Sequence, residues 1–186
     1  MATKRLVIDG YGQVELNNVA FRRDGRIVAQ CAPDTTDFAS IPVENGMILA
    51  VDEANRTVKF ATDNSLPLAL VYSTEHMYDE RMPGLKNFKL NGSDDFLPRL
   101  GYLAVGDKWH TNTICYSDAE YHKEAELITA LKEYKTAAVY GKVDSTGTGA
   151  VCLTATAPTV GLKLKVVEYG TMPDGQKGVK LQVLDV

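Results

Sequence analysis

Residues 41–72 read IPVENGMILAVDEANRTVKFATDNSLPLALVY, and the fold class turns on this stretch. Met47, Leu49 and Val51 alternate with Ile48, Ala50 and Asp52, and Val58 and Phe60 alternate with Lys59 and Ala61. That period of two is what a strand imposes, because successive side chains leave a pleated backbone on opposite faces. Between the runs, Asp52-Glu53-Ala54-Asn55-Arg56 is polar and rich in residues that tolerate turn geometry, so the segment predicts a hairpin. Pro42 and Gly46 punctuate its entrance. Beyond Asn64-Ser65-Leu66-Pro67 the residues Leu68, Leu70 and Tyr72 predict a third strand, which makes the whole an antiparallel meander. Such a unit is a scaffold; none of its residues suggests chemistry.

The same logic extends outward in both directions. Upstream, Arg5 to Asp9 predicts a short strand before Gly10-Tyr11-Gly12, Gln13 to Phe21 alternates loosely, and Asp24-Gly25 is a hairpin signal ahead of Ile27-Val28-Ala29. Ala32 to Ser40 reads as a loop. Downstream, residues 73–99 are polar and aromatic, are broken by Pro83-Gly84, Asn91-Gly92 and Pro98, and hold no period. A connection this long inside a domain is usually a working surface or a cover. Leu103 and Val105 lead through Gly106-Asp107 into a strand with Trp109, Ile114 and Cys115. The turns before Met47 and before Trp109 are loosely alike, which does not establish a repeat. Ser117-Asp118-Ala119-Glu120 matches a capping box, in which serine and glutamate satisfy helix-end amides. Tyr121, Ala125, Ile128 and Leu131 follow at helical spacing, so one amphipathic helix is expected, ending near Tyr134. Ala137–Val143 and Ala150–Ala155 are strands about a glycine-rich turn. The last hairpin sets Leu162, Leu164 and Val166 against Val179, Leu181 and Val183, with lysines on the other face.

The expected fold is therefore α+β and mainly β: an antiparallel β-barrel or sandwich over residues 1–116 with the long loop 73–99, a helix over 117–135, and a small C-terminal β-hairpin unit over 136–186 packed on it. A length of 186 residues suits one domain with a small appendage. No apolar run approaches the roughly 20 residues that cross a bilayer, and Met1-Ala2-Thr3-Lys4-Arg5 leads into a strand without an apolar targeting region. Synthesis in the cytoplasm without export is the expectation. A net charge of −4 argues against a general nucleic-acid binder. Cys31, Cys115 and Cys152 are odd in number and widely spaced, which predicts buried or reduced thiols rather than a disulfide frame or a zinc site.

Candidate chemistry is thin. Asp144-Ser145-Thr146-Gly147 approaches an aspartyl-protease signature, but an extra residue separates serine from glycine and no second copy exists, so a hairpin turn is the better reading. His76, His110 and His122 lack ligand spacing, and Asp79-Glu80 and Asp94-Asp95 lack the alternation of a calcium loop. No metal, cofactor or catalytic residue is expected. The glycosylation patterns at Asn55-Arg56-Thr57 and Asn91-Gly92-Ser93 mean little without export. Trp109, Tyr72, Tyr78, Tyr102 and Tyr116 suit either a ligand groove or core packing.

Gly46-Met47-Ile48-Leu49-Ala50-Val51, Gly84-Leu85-Lys86-Asn87-Phe88 with Phe96-Leu97-Pro98-Arg99-Leu100, and Val105-Gly106-Asp107-Lys108-Trp109-His110-Thr111-Asn112-Thr113 resemble the small β-rich capsid decoration, or cement, proteins of tailed bacteriophages. The resemblance covers about half the chain. It implies a non-enzymatic virion protein that docks on the assembled head lattice and reinforces it. Its partners would be the major capsid protein and neighbouring copies of itself, with no membrane and no direct nucleic-acid contact. On this reading Tyr78, Met82, Leu85, Phe88, Phe96 and Arg99 in and beside the long loop are the interface residues, apolar anchors among charges. The alternative for these residues is that they fold back over an open end of the β-domain. The rival functions are a ligand-binding β-module, for example for carbohydrate, a phage tail or connector component, and an enzyme whose site assembles only in three dimensions.

Overall fold

The structure is a computed structural model describing residues 4–5, 12–28, 30–62, 65–73, 89–90, 97–116, 120–144, 147–173 and 175–186. In chain order the strands are β1 (Lys4–Arg5), β2 (Val14–Asn18), β3 (Ile27–Val28), β4 (Ala32–Pro33), β5 (Val43–Glu44), β6 (Ile48–Asp52), β7 (Thr57–Phe60) and β8 (Leu68–Val71). They continue with β9 (Lys89–Leu90), β10 (Leu100–Tyr102), β11 (Lys108–Thr111), β12 (Ile114–Tyr116), β13 (Tyr140–Val143), β14 (Val151–Thr154), β15 (Lys163–Thr171) and β16 (Lys177–Asp185). Helix α1 (Ala20–Asp24) lies between β2 and β3, and helix α2 (Glu124–Lys132) between β12 and β13.

These strands make a larger sheet in the order β1-β12-β14-β13-β15-β16-β11-β2, a smaller one in the order β3-β10-β8-β6-β7-β4, and the pair β5-β9. Both main sheets are open, with β1 and β2 or β3 and β4 at their edges, so of the two expected architectures the sandwich holds and the barrel does not. Most neighbours are antiparallel. Parallel pairs join β12 to β14 and β4 to β7.

The segment 41–72 does form the centre of the smaller sheet, but not as a meander. β6 pairs with β7 through the expected hairpin, and β8 then crosses to pair on the other side of β6. The burial pattern explains why. Ile48, Leu49, Ala50 and Val51 are all buried, which only a central strand covered on both faces achieves. Alternation then divides the residues between two cores. Ile48, Leu70 and Tyr72 face the larger sheet and pack with Trp109, Ile114, Leu164 and Leu181. Met47, Leu49, Val51, Ala69 and Val71 face away, and pack with Cys31, Phe38, Val58 and Phe60. Phe38 and Phe60 meet with ring centroids 4.6 Å apart in a tilted pair. Ala32–Ser40, expected as a loop, supplies that second cover: its first residues form edge strand β4, where Pro33 needs no ladder donor.

Three other expectations are corrected. Asp24-Gly25 ends a helix rather than turning a hairpin: Gly25 has φ 68° and donates its amide to the Phe21 carbonyl, closing α1. Helix α2 begins at Glu124, with Lys123 at its N-cap, three residues past Glu120; Ser117 lies outside the described residues. Glu120 accepts a hydrogen bond from the Ala155 amide instead, and the carboxylate that reaches back over the first turn is Glu126, 2.8 Å from the His122 amide. Leu127 and Leu131, one turn apart on α2, join the core between the sheets. Finally, β13 to β16 are not a unit apart: they lie between β12 and β11 inside the larger sheet, so residues 1–116 and 136–186 share a ladder. The last hairpin keeps its predicted alternation, with Leu164, Val166, Val179, Leu181 and Val183 buried, and a register shift at Val166–Glu168.

Candidate docking surface

Strands β6, β11 and β16 all run between the same two ends of the sandwich. At one end the Val43–Gly46 segment, which leads from β5 into β6 of the smaller sheet, meets Thr111–Thr113 of the larger. Thr113 Oγ1 donates to the Asn45 carbonyl at 2.7 Å, Thr111 Oγ1 donates to the Gln13 carbonyl at 2.6 Å, and the Gln13 amide donates to Asn112 Oδ1 at 2.6 Å. Asn112 Nδ2 donates in turn to Gln176 Oε1 at 2.9 Å. Asn45, Thr111, Asn112 and Thr113 are all buried, a placement that polar groups tolerate only when hydrogen-bonded. The approach is close enough to require glycine. A Cβ on Gly46, whose φ is +86°, would fall 2.3 Å from Thr111 Oγ1, and one on Gly12 would fall 2.8 Å from the Asn45 carbonyl oxygen.

Segment 74–96 departs from this polar end. Its stems are tied together: the Tyr72 amide donates to the Arg99 carbonyl at 3.0 Å, and the Arg99 amide donates to Ser73 Oγ at 2.8 Å. The Gly46 amide donates to the Val71 carbonyl at 2.9 Å, which fixes the stems to the knot. Of the expected interface residues, Tyr78, Met82, Leu85, Phe88 and Phe96 lie outside the described residues. Arg99 is exposed, with its guanidinium 6.0 Å from the centroid of the Tyr72 ring, and Leu97 beside it is 45% exposed. Lys89–Leu90 pairs antiparallel with Val43–Glu44, so that part of the segment lies back along β5.

The opposite end holds an apolar cavity of about 460 Å³ lined by Leu66, Pro67, Leu68, Tyr102, Leu103, Val160, Gly161, Leu162 and Val186. Tyr102 is its polar handle: the hydroxyl donates to Glu53 Oε1 at 2.6 Å, and burial, together with that carboxylate, pushes its pKa well up. The outer face of the larger sheet is ordinary polar surface. Lys180 pairs with Glu168 at 2.9 Å and Lys163 with Asp185 at 2.8 Å, and each lysine holds its carboxylate below the usual range. His110, buried beside them, sets Nδ1 3.9 Å from Glu15 Oε2.

Candidates named for chemistry are dispersed. Asp144 braces the β13–β14 turn, accepting from Thr148 Oγ1, while its amide donates to the Ala150 carbonyl at 3.1 Å. Ser145, Thr146, His76, Asp79, Glu80, Asp94 and Asp95 lie outside the described residues. His122 is exposed on the approach to α2, while His110 is buried on β11, and no group of three metal-ligating side chains forms among the described residues. Trp109 is fully buried and Tyr72 nearly so, which removes both from any ligand groove. The polar knot was not anticipated. Its signal in the sequence is Thr111-Asn112-Thr113, three small polar residues between Trp109 and Ile114 where a strand would bury them. Comparisons with protein-family models, with curated proteins and with solved structures find no match.

Proposed function

We propose that this chain is a non-enzymatic virion protein that docks on the assembled head of a tailed phage and reinforces the lattice, with the 74–96 end of the sandwich as its docking face. One observation carries the reading: the described ends of the stretches that resemble decoration proteins meet there, while Gly84–Phe88 and Phe96 lie outside the described residues. Gly46, at the head of the first stretch, sits against Thr111 and Thr113, which close the third. Leu97–Leu100, the stem of the second, is tied to Tyr72 and Ser73 beside them. A docking segment mounted on a hydrogen-bonded base loses less conformational entropy on binding than one on a free tether.

Deletion of Pro83–Asp95 is expected to leave a folded protein that no longer co-sediments with expanded heads of the same phage. Normal co-sedimentation of the deleted protein would overturn the assignment. Arg99→Glu, at an exposed position, is expected to weaken docking by about tenfold, the loss of roughly 1.4 kcal/mol that a central interface arginine carries, without moving the thermal midpoint.

A further inference from the structure

β12 and β14 run parallel with Cys115 directly opposite Cys152. Ile114 and Val151 turn into the core between the sheets, so alternation sends both cysteines to the other face, where with Ala150 they form a small cluster of their own. Neither cysteine is in a disulfide; Cys115 is 1% exposed and Cys152 6%. The strand spacing of about 4.8 Å falls inside the Cα separation a disulfide spans, about 4.4–6.8 Å. The hydrogen bond from Cys115 holds the Cys152 thiol below its usual range. The ammonium of Lys142, its register partner on β13, acts in the same direction, against burial and the Asp144 and Glu120 carboxylates.

We propose that Cys115 and Cys152 form an oxidant-responsive dithiol that small peroxides close into a disulfide between β12 and β14. The Cys152 thiolate attacks one peroxide oxygen and the O–O bond breaks, leaving a sulfenic acid on Cys152 and a hydroxide that takes up a proton to become water. The Cys115 sulfur then attacks the Cys152 sulfur, and the sulfenic hydroxyl leaves with the Cys115 proton as a second water. The cysteine pair loses two electrons and the peroxide gains them. Cys31 stands apart: it is wholly buried in the second core, where burial pushes its thiol up. The new bond closes a loop containing α2 and β13, and it is independent of the docking reading.

The test treats the full chain with hydrogen peroxide and maps its peptides without reduction. The expected result is a Cys115–Cys152 link within one chain, loss of two of the three free thiols, and a thermal midpoint raised by several degrees and returned by dithiothreitol. C115S, which keeps a side-chain donor to Cys152 but cannot resolve it, should stop at a Cys152 sulfenic acid, captured by dimedone. Survival of all the thiols at a peroxide dose that oxidises free cysteine would overturn the proposal. So would oxidation of Cys31 first, or links only between chains. If C115S does not fold, the map of the unsubstituted protein decides.

Discussion

At one end of the sandwich Thr113 reaches across to the Asn45 carbonyl while Thr111 and Asn112 bond Gln13 and Gln176 beside them at the edge of the larger sheet, whereas at the other Leu66, Leu68, Leu103, Leu162 and Val160 surround an open apolar cavity. The difference is one of tolerance. Hydrogen bonds are directional, and a buried donor or acceptor that loses its partner forfeits about 1–3 kcal/mol, so the polar end accepts almost no displacement. Apolar contacts are non-directional, and a cavity with exposed Val160 and Val186 at its rim adapts to a changed side chain. The segment proposed to dock leaves from the end that cannot give.

The sharpest way to break this contrast is a pair of glycine substitutions. Gly46 and Gly106 have nearly the same φ, +86° and +92°, yet a Cβ on Gly46 collides with Thr111 and Thr113 while one on Gly106 meets nothing within 4 Å. Gly46→Val is expected to cost about 3–5 kcal/mol, left-handed strain plus overpacking, and Gly106→Ala only about 1–2 kcal/mol, strain alone, as read from urea denaturation. Equal losses would mean that the knot is not rigid.

A smaller effect is expected at the cavity end. Tyr102, with its pKa raised by burial and by Glu53, favours the fold as the neutral phenol. Its contribution is complete below about pH 10, the unfolded value, and is lost as pH climbs through the higher folded value. Burial shifts Tyr121 and Tyr169 in the same direction. Tyr102→Phe should therefore flatten the fall of thermal midpoint above pH 10 while costing about 1 kcal/mol at pH 7. An unchanged alkaline limb would assign that fall to the other tyrosines. The smallest change is expected at the rim: Val160→Asp, at a side chain 73% exposed, should move stability by no more than about 0.5 kcal/mol.

What was legible in the sequence follows the range of the interactions. The hairpin β15–β16 could be read from alternation alone because its pairing is local and one face is buried. The meander error arose where locality ended: alternation shows that β8 is a strand but not that it crosses to the far side of β6. Asp24-Gly25 was ambiguous for a simpler reason, since a hairpin turn and a helix C-cap both want glycine at positive φ. The capping box failed because Glu120 found a partner thirty-five residues away in Ala155. At the candidate site, Arg99 and the loop could be picked out by composition. The knot and the cysteine pair could not, because each exists only through the register that brings distant residues together.

The central claim is that the end bearing Leu97 and Arg99 faces the shell, and electron cryomicroscopy of expanded phage heads incubated with the protein tests it most directly. The account predicts added density on the outer lattice with the Tyr72–Arg99 stems against the capsid surface and the Val160–Val186 rim outward. Bare heads at saturating protein, or density with the cavity end against the shell, would contradict it.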